Sequence, residues 1–104
     1  MKIKILIPIY NDWRSVFELL KKIDTQISDI SDEISILIVN DGSNEEKENI
    51  PELKYIKSIK ILNMKQNQGH ARCNAMGLKY LYENEEFDYV IPMDGDGEDR
   101  PEEI

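Results

Sequence analysis

The protein has 104 residues, of which 40% are hydrophobic and 33% charged, and its formal net charge at pH 7 is −8. This length and apolar content suit one hydrophobic core in one domain. The negative charge argues against nucleic acid or anionic lipid as a general partner, because both require a basic surface. No apolar run is long enough to span a membrane, and the single cysteine, Cys73, predicts a reducing, cytoplasmic setting without disulfides.

The first third of the chain predicts a strand followed by a helix. Residues 4–9 form a short apolar run with Pro8 near its end, which is typical of a buried strand. Asn11 and Asp12 then offer side-chain oxygens that could cap a helix. Residues 13–27 carry apolar side chains at helical spacing, so a helix with one buried face is expected there.

The middle of the chain predicts a second strand and a short helix. Residues 34–39 are rich in β-branched side chains and too few for a typical helix. Ser43 and Glu46 have the spacing of a capping box. They predict a short helix that ends before Pro51, because the residue before a proline disfavours helical geometry.

The last part of the chain predicts a third strand over residues 58–62, a helix over 69–83 and a fourth strand over 87–93. Strands that alternate with helices indicate an α/β fold with right-handed crossovers. We therefore expect a Rossmann-like, mostly parallel sheet with flanking helices.

Polar residues follow each predicted strand at the point where it ends. In a parallel sheet these carboxyl ends meet at one edge, where α/β proteins bind their ligands. Any one cluster would read as an ordinary loop, but their shared position predicts a binding site. The four clusters are residues 10–12, 40–43, 67–70 and 94–96.

The last cluster has the chemistry of a divalent metal site. Asp94 and Asp96 are separated and followed by glycines, so both carboxylates could approach one hard cation. Mg²⁺ or Mn²⁺ held by one or two carboxylates usually completes its shell with water and phosphate oxygens. A metal here would let an acidic protein bind a nucleotide diphosphate, because it screens carboxylate from phosphate.

Other metal and phosphate motifs do not fit this sequence. An EF-hand loop that began at Asp94 would need glycine at its sixth position, where Asp99 stands. Neither the P-loop pattern nor the dinucleotide-binding glycine pattern occurs. A response-regulator receiver would need an aspartate after the third strand, but residues 63–66 contain none.

Four motifs in order, ILIPIYND, ILIVNDGSNEE, LNMKQNQGHARCNAMGLKYL and DYVIPMDGDGEDRPEEI, carry a family resemblance. Together they resemble the amino-terminal half of family 2 glycosyltransferases of the GT-A fold, nearest to polyprenyl- or dolichyl-phosphate mannosyltransferases. The resemblance covers essentially the whole chain. It implies that residues 1–104 are a single, truncated or partial domain that binds a UDP- or GDP-sugar for inverting transfer.

The resemblance also implies roles for individual residues. Pro8 and Tyr10 would line the pocket for the nucleotide base, and Asp41 would accept a hydrogen bond from the base. Asp94 and Asp96 match the Asp-x-Asp motif that holds the donor's ribose and the divalent metal.

Further positions follow from the same resemblance. Glu98 would be an additional metal-site residue. Gly69 to Arg72 would lie near the donor phosphates at a helix start, where N–H groups face outward. His70 could instead be an ordinary polar residue at a helix start, and Arg72 an ordinary surface cation. Asn40 departs from the family's Asp-Asp-Gly-Ser turn, which places an aspartate there.

Two functional hypotheses remain open from the sequence, a metal-dependent glycosyltransferase and a non-catalytic nucleotide- or metal-binding module. In the family, the acceptor-binding segment and the general base follow the last residue of this chain, so no catalytic residue is assigned. The missing half would leave apolar sheet surface uncovered, which predicts self-association. A nucleotidyltransferase is less favoured, because its glycine-rich basic loop is missing after strand one.

Overall fold

A computed structural model describes residues 1–45, 47 and 49–94 of the chain. These residues form four strands and two helices, all of which the sequence predicts, and β2 is followed directly by β3. The elements are β1 (Lys2–Ile9), α1 (Trp13–Gln26), β2 (Glu33–Asn40), β3 (Ser58–Asn63), α2 (His70–Asn84) and β4 (Tyr89–Pro92).

The four strands form one parallel sheet in the order β3-β2-β1-β4. Ile5 of β1 pairs with Ile36 of β2 on one side and with Ile91 of β4 on the other. Because all strands run the same way, their carboxyl ends lie at one edge of the sheet. This arrangement confirms the predicted α/β, Rossmann-like fold.

The larger part of the core lies between α1 and one face of the sheet. The apolar stripe of α1 is almost fully buried against isoleucines of β1 and β2. Burying each such side chain contributes about 1.5–3 kcal/mol before the entropy of ordering is subtracted. The stripe consists of Val16, Leu19, Leu20, Ile23 and, just beyond the helix, Ile27.

The opposite face of the sheet packs against α2 over a smaller core that includes Leu6, Leu37 and Leu81. Gly77 lies where this helix approaches the sheet. A Cβ atom at Gly77 would lie 2.5 Å from Cδ1 of Leu6 and 3.1 Å from Cγ2 of Val39. The missing side chain is therefore what allows α2 to lie close to β1 and β2.

A buried aspartate on α1 anchors the segment that leads into β3. The carboxylate of Asp24 accepts N–H groups from Lys54, Tyr55 and Ile56 at 2.9, 2.7 and 2.8 Å. Burial alone would raise the pKa of this carboxyl, but the three N–H groups outweigh it and the pKa lies below its ordinary value. Asp24 thus holds an irregular loop against the helix, a contact that the sequence analysis missed.

One predicted element is wrong in the part of the chain that the structure describes. Residues 43–45, 47, 49 and 50 are not helical, although the sequence predicts a short helix between Ser43 and Pro51. The Oγ atom of Ser43, which the prediction assigned as the helix cap, accepts the backbone N–H of Asn11. Asp12 does stand at the N-cap of α1, but its side chain makes no capping hydrogen bond.

Neither described helix is both long enough and apolar enough to cross a membrane.

Candidate functional site

Three strand-end turns meet at the carboxyl edge of the sheet and are hydrogen-bonded to one another. They are the first turn (residues 10–12, after β1), the second turn (residues 40–45, after β2) and the third turn (residues 64–69, after β3). Asp94 follows β4 at the same edge. The structure therefore brings together the first three of the polar clusters whose positions predicted a site, and of the fourth it describes only Asp94.

Asn11 joins the first turn to the second. It has a φ of 58°, in the left-handed region that asparagine tolerates better than most residues. Its backbone N–H donates to Oγ of Ser43 at 2.8 Å, and its side-chain amide donates to Oδ1 of Asn44 at 2.8 Å. Its own Oδ1 accepts the N–H groups of Asn44 and Glu45, both at 3.0 Å. A helix that began at Ser43 would start with the hydroxyl of Ser43 and the N–H groups of Asn44 and Glu45. In the structure, these groups bond to Asn11.

Asn40 joins the second turn to the end of β3. Its side-chain amide donates to Oδ1 of Asn63 at 3.0 Å, while its Oδ1 accepts the N–H of Ser43 at 3.0 Å. The backbone N–H of Met64 donates to the carbonyl of Asn40 at 2.8 Å. An amide can donate and accept at once, whereas a carboxylate only accepts. Asparagine in place of the family's first aspartate therefore suits this contact.

Asp41 joins the second turn to the start of α2. Its side chain is only 1% exposed. Oδ1 accepts the N–H of Gln68 at 2.6 Å, and Oδ2 accepts the N–H of Gly69 at 2.9 Å. Burial alone would raise the pKa of this carboxyl, but bonds from Gln68, the Cys73 thiol and Gly69 prevail and lower it. Asp41 is therefore a buried carboxylate whose oxygens are engaged by the third turn.

Cys73 lies beside this carboxylate and is fully buried. Burial, followed by the hydrogen bond and negative charge of Asp41, raises the pKa of the Cys73 thiol to about 12. The thiol is therefore protonated at neutral pH and is not a nucleophile.

Gly42 allows the second and third turns to touch through their backbones. Its φ is 74°, and a Cβ at this position would lie 2.8 Å from the backbone N of Asn67 and from the backbone C of Gln66. Real Cβ atoms do not approach backbone that closely, so a larger residue would push the third turn away from Asp41.

The start of α2 faces the same edge. Gly69 is the N-cap, with a φ of 92° and no side-chain cap, and the first turn of the helix contains no acidic residue. His70 and Arg72 follow and are exposed. A helix start carries outward N–H groups and a partial positive charge, which suits an anion, and at this one the buried carboxylate of Asp41 already accepts the N–H of Gly69. Phosphate contacts at Gly69 and Arg72 stay a prediction.

The two residues predicted for the base pocket lie at the end of β1. Pro8 is buried in the strand, whereas Tyr10 is 39% exposed at the edge of the sheet. Of this pair, the tyrosine ring is therefore the surface that a ligand could contact.

The predicted metal site falls mostly outside the described residues. Asp94 is exposed after β4, but Asp96 and Glu98 lie beyond the part of the chain that the structure describes. Within that part, no group of three or more His, Cys, Asp or Glu side chains is placed to hold a metal. The metal site stays a prediction that rests on the sequence.

Two cavities lined by described residues lie at the opposite, amino-terminal edge of the sheet. Their volumes are about 480 and 360 Å³, and they are open and lined largely by charged residues. Several of these charges already pair with one another, as Lys57 does with Glu33 at 2.8 Å and Lys4 with Glu85 at 2.8 Å. Neither cavity shares a residue with the three turns, so neither belongs to the site.

Sequence reasoning placed Asp41 and the first three clusters at this edge of the sheet but missed the hydrogen bonds that hold the clusters together. The signal it passed over is the asparagine that stands at or just after the end of each of the first three strands, at positions 11, 40 and 63. Asparagine suits such places, because it tolerates left-handed geometry and both donates and accepts.

Comparison with known families bears directly on this geometry. A family model described as glycosyl transferase family 2 matches residues 4–104 of the chain. The match begins within β1 and covers the other three strands, both helices and each of the strand-end clusters.

Proposed function

The chain belongs to glycosyl transferase family 2, and we propose that the carboxyl edge of its sheet binds a nucleotide-diphosphate sugar for transfer to an acceptor. The observation that carries the proposal is the joining of three strand-end turns into one surface. An exposed tyrosine stands on this surface and the start of α2 faces it. Membership of the family supports a glycosyltransferase-type function and does not favour the non-catalytic module.

The base would lie on the Tyr10 side of the edge. A tyrosine ring offers an apolar face for stacking and a hydroxyl that can remain in water. Pro8 would support this ring from beneath, within β1. Direct contact between the base and Asp41 stays a prediction. Asp41 is 1% exposed and its carboxylate already accepts two N–H groups, which leaves little of it for a base to reach.

The diphosphate would lie between the start of α2 and the segment after β4. Helix N–H groups and the side chains of His70 and Arg72 would offset its charge on one side. We propose that Mg²⁺ or Mn²⁺, held by Asp94 and Asp96 with help from Glu98, would do so on the other side. Three finer points stay parts of this proposal. They are the choice of UDP or GDP, inversion at the sugar, and kinship with polyprenyl-phosphate mannosyltransferases.

Isothermal titration with UDP, GDP and CDP, with Mn²⁺ and with excess chelator, tests the proposal. We expect one nucleotide to bind at least about tenfold more tightly with Mn²⁺, a difference of 1.4 kcal/mol. Its phosphates complete the shell of a metal that the protein alone holds weakly. Asp94→Asn and Asp96→Asn should each remove this gain.

Asp29→Asn is the matched control, since it removes one exposed carboxylate from the loop after α1 and should leave the gain intact. Equal affinity with chelator and Mn²⁺ would contradict the metal assignment. Failure of all three nucleotides to bind under either condition would contradict donor binding itself.

We also propose that the chain self-associates along β4. Within the described part of the chain, no strand pairs with the outer side of β4, and Tyr89 on this strand is 57% exposed. An uncovered edge strand can pair with another chain, and a lysine on the edge opposes such pairing. Sedimentation velocity should show a concentration-dependent dimer that Tyr89→Lys abolishes and Tyr55→Lys, at a 50% exposed site outside the strands, retains. A wild-type chain that stays monomeric at every concentration would refute this.

A further inference from the structure

We infer that Asn11 is a positioning residue that sets the shape of the donor site by holding the first turn against the second. The inference rests on the proposed function, because it concerns the surface on which the nucleotide would lie. The four hydrogen bonds of Asn11 to Ser43, Asn44 and Glu45 carry it.

Two features of the structure favour asparagine at position 11. The φ of 58° is costly for most side chains but open to glycine and asparagine. The side chain also donates one hydrogen bond and accepts two, which an amide can do and a carboxylate cannot. Backbone shape and side-chain bonding can therefore be separated by substitution.

The contact anchors the backbone directly after Tyr10. Tyr10 directly precedes Asn11 and is the exposed aromatic residue of the first turn. When Asn11 is bound to the second turn, Tyr10 is held beside the segment that carries Asp41 and Gly42. Without the side chain of Asn11, two backbone N–H bonds would still hold this region: that of Asn11 to Oγ of Ser43, and that of Asp41 to the carbonyl of Ile9, both at 2.8 Å.

The contact also extends across the sheet edge. Ser43, which accepts the N–H of Asn11, donates its own N–H to Asn40, and Asn40 donates to Asn63 at the end of β3. The ends of β1, β2 and β3 are thus joined by a chain of uncharged groups. Amide and serine hydroxyl groups carry no charge, so these bonds involve no ionised side chain.

Asn11→Gly tests the inference, because glycine keeps the backbone conformation and removes only the side-chain bonds. We expect amide hydrogen exchange at Asn44 and Glu45 to quicken at least about fivefold, since these N–H groups lose their acceptor. Affinity for the nucleoside diphosphate that binds best with Mn²⁺ should fall about 5- to 30-fold. The melting temperature should change little, because the lost bonds lie at the exposed rim.

Two variants complete the experiment. Asn11→Asp keeps the acceptor and should retain most of the protection at Asn44 and Glu45, with an affinity between wild type and Asn11→Gly. Asn84→Gly is the control, since it removes another exposed asparagine, whose side-chain amide donates to the carbonyl of Tyr80 in its own helix. It should alter neither exchange at the second turn nor nucleotide affinity.

The outcomes separate this inference from the proposed function. Unchanged exchange at Asn44 and Glu45 in Asn11→Gly overturns the inference, and so does faster exchange with wild-type nucleotide affinity. If the wild-type chain binds no nucleotide, the proposed function fails and Asn11 positions no donor. Faster exchange in that case would support only the joining of the two turns.

Discussion

Replacing Asp41 with alanine should lower the free energy of unfolding by about 3–6 kcal/mol. Two backbone N–H groups of the third turn would lose a charged acceptor, and each such bond is worth about 1.5–3 kcal/mol. The total stability of a domain this size is about 5–15 kcal/mol. Urea denaturation should show the loss as a lower midpoint with an unchanged slope.

Asp41→Asn separates the stability effect from base recognition. An asparagine oxygen can still accept one N–H, but its NH₂ group would face the other, so we expect an intermediate stability. If Asp41 also contacts the base, this variant, where still folded, should bind nucleoside diphosphate about 1–3 kcal/mol more weakly. Unfolding free energies within 1 kcal/mol of wild type for Asp41→Ala would show that its bonds to Gln68 and Gly69 carry little energy.

The sheet could be predicted from the sequence because its signals are local. The apolar runs of β1 and β2 and the apolar stripe of α1 each lie within one short stretch of sequence. Strand β3 was also predicted within one residue of its observed end at Asn63. Parallel pairing then brings the strand ends to one edge, which is why the place of the site could be predicted before its contacts were known.

The contacts within the site could not be predicted, because each local signal there has a distant competitor. Ser43 and Glu46 have capping-box spacing, yet the Ser43 hydroxyl accepts an N–H from Asn11, 32 residues earlier. Asp12 precedes a helix but makes no cap, and Asp41 binds N–H groups 27 and 28 residues later. A pattern of neighbouring residues carries no information about partners about 30 residues away in the sequence.

The contacts of Asp24 could not be predicted for the same reason, although this residue lies within a predicted helix. It adjoins Ile23 and lies four residues after Leu20, so the spacing puts it at the margin of the apolar face. A charged residue there normally points to water. Its partners, the N–H groups of residues 54–56, lie 30 to 32 residues away in a loop without regular structure.

Replacing Asp24 with alanine should lower the free energy of unfolding by about 3 kcal/mol or more. Three N–H groups would lose their acceptor at about 1–3 kcal/mol each, but those of Lys54 and Tyr55 belong to exposed residues and can turn to water. The N–H of Ile56 is buried and would stay unpaired. Faster hydrogen exchange over residues 54–56 should accompany the loss, and the exposed Asp29→Ala should show neither effect.

The same carboxylate should make stability depend on acid. Because folding lowers the pKa of Asp24 below its ordinary value of 3.8, the unfolded chain takes up the proton first as the pH falls. Its contribution is therefore complete above the unfolded pKa and disappears as the pH falls through the lower, folded pKa. Urea denaturation between about pH 5 and pH 2 should show a shallower decline for Asp24→Asn than for wild type. Parallel declines would mean that the three N–H groups do not stabilise the charged form, and the contact would then be a packing contact alone.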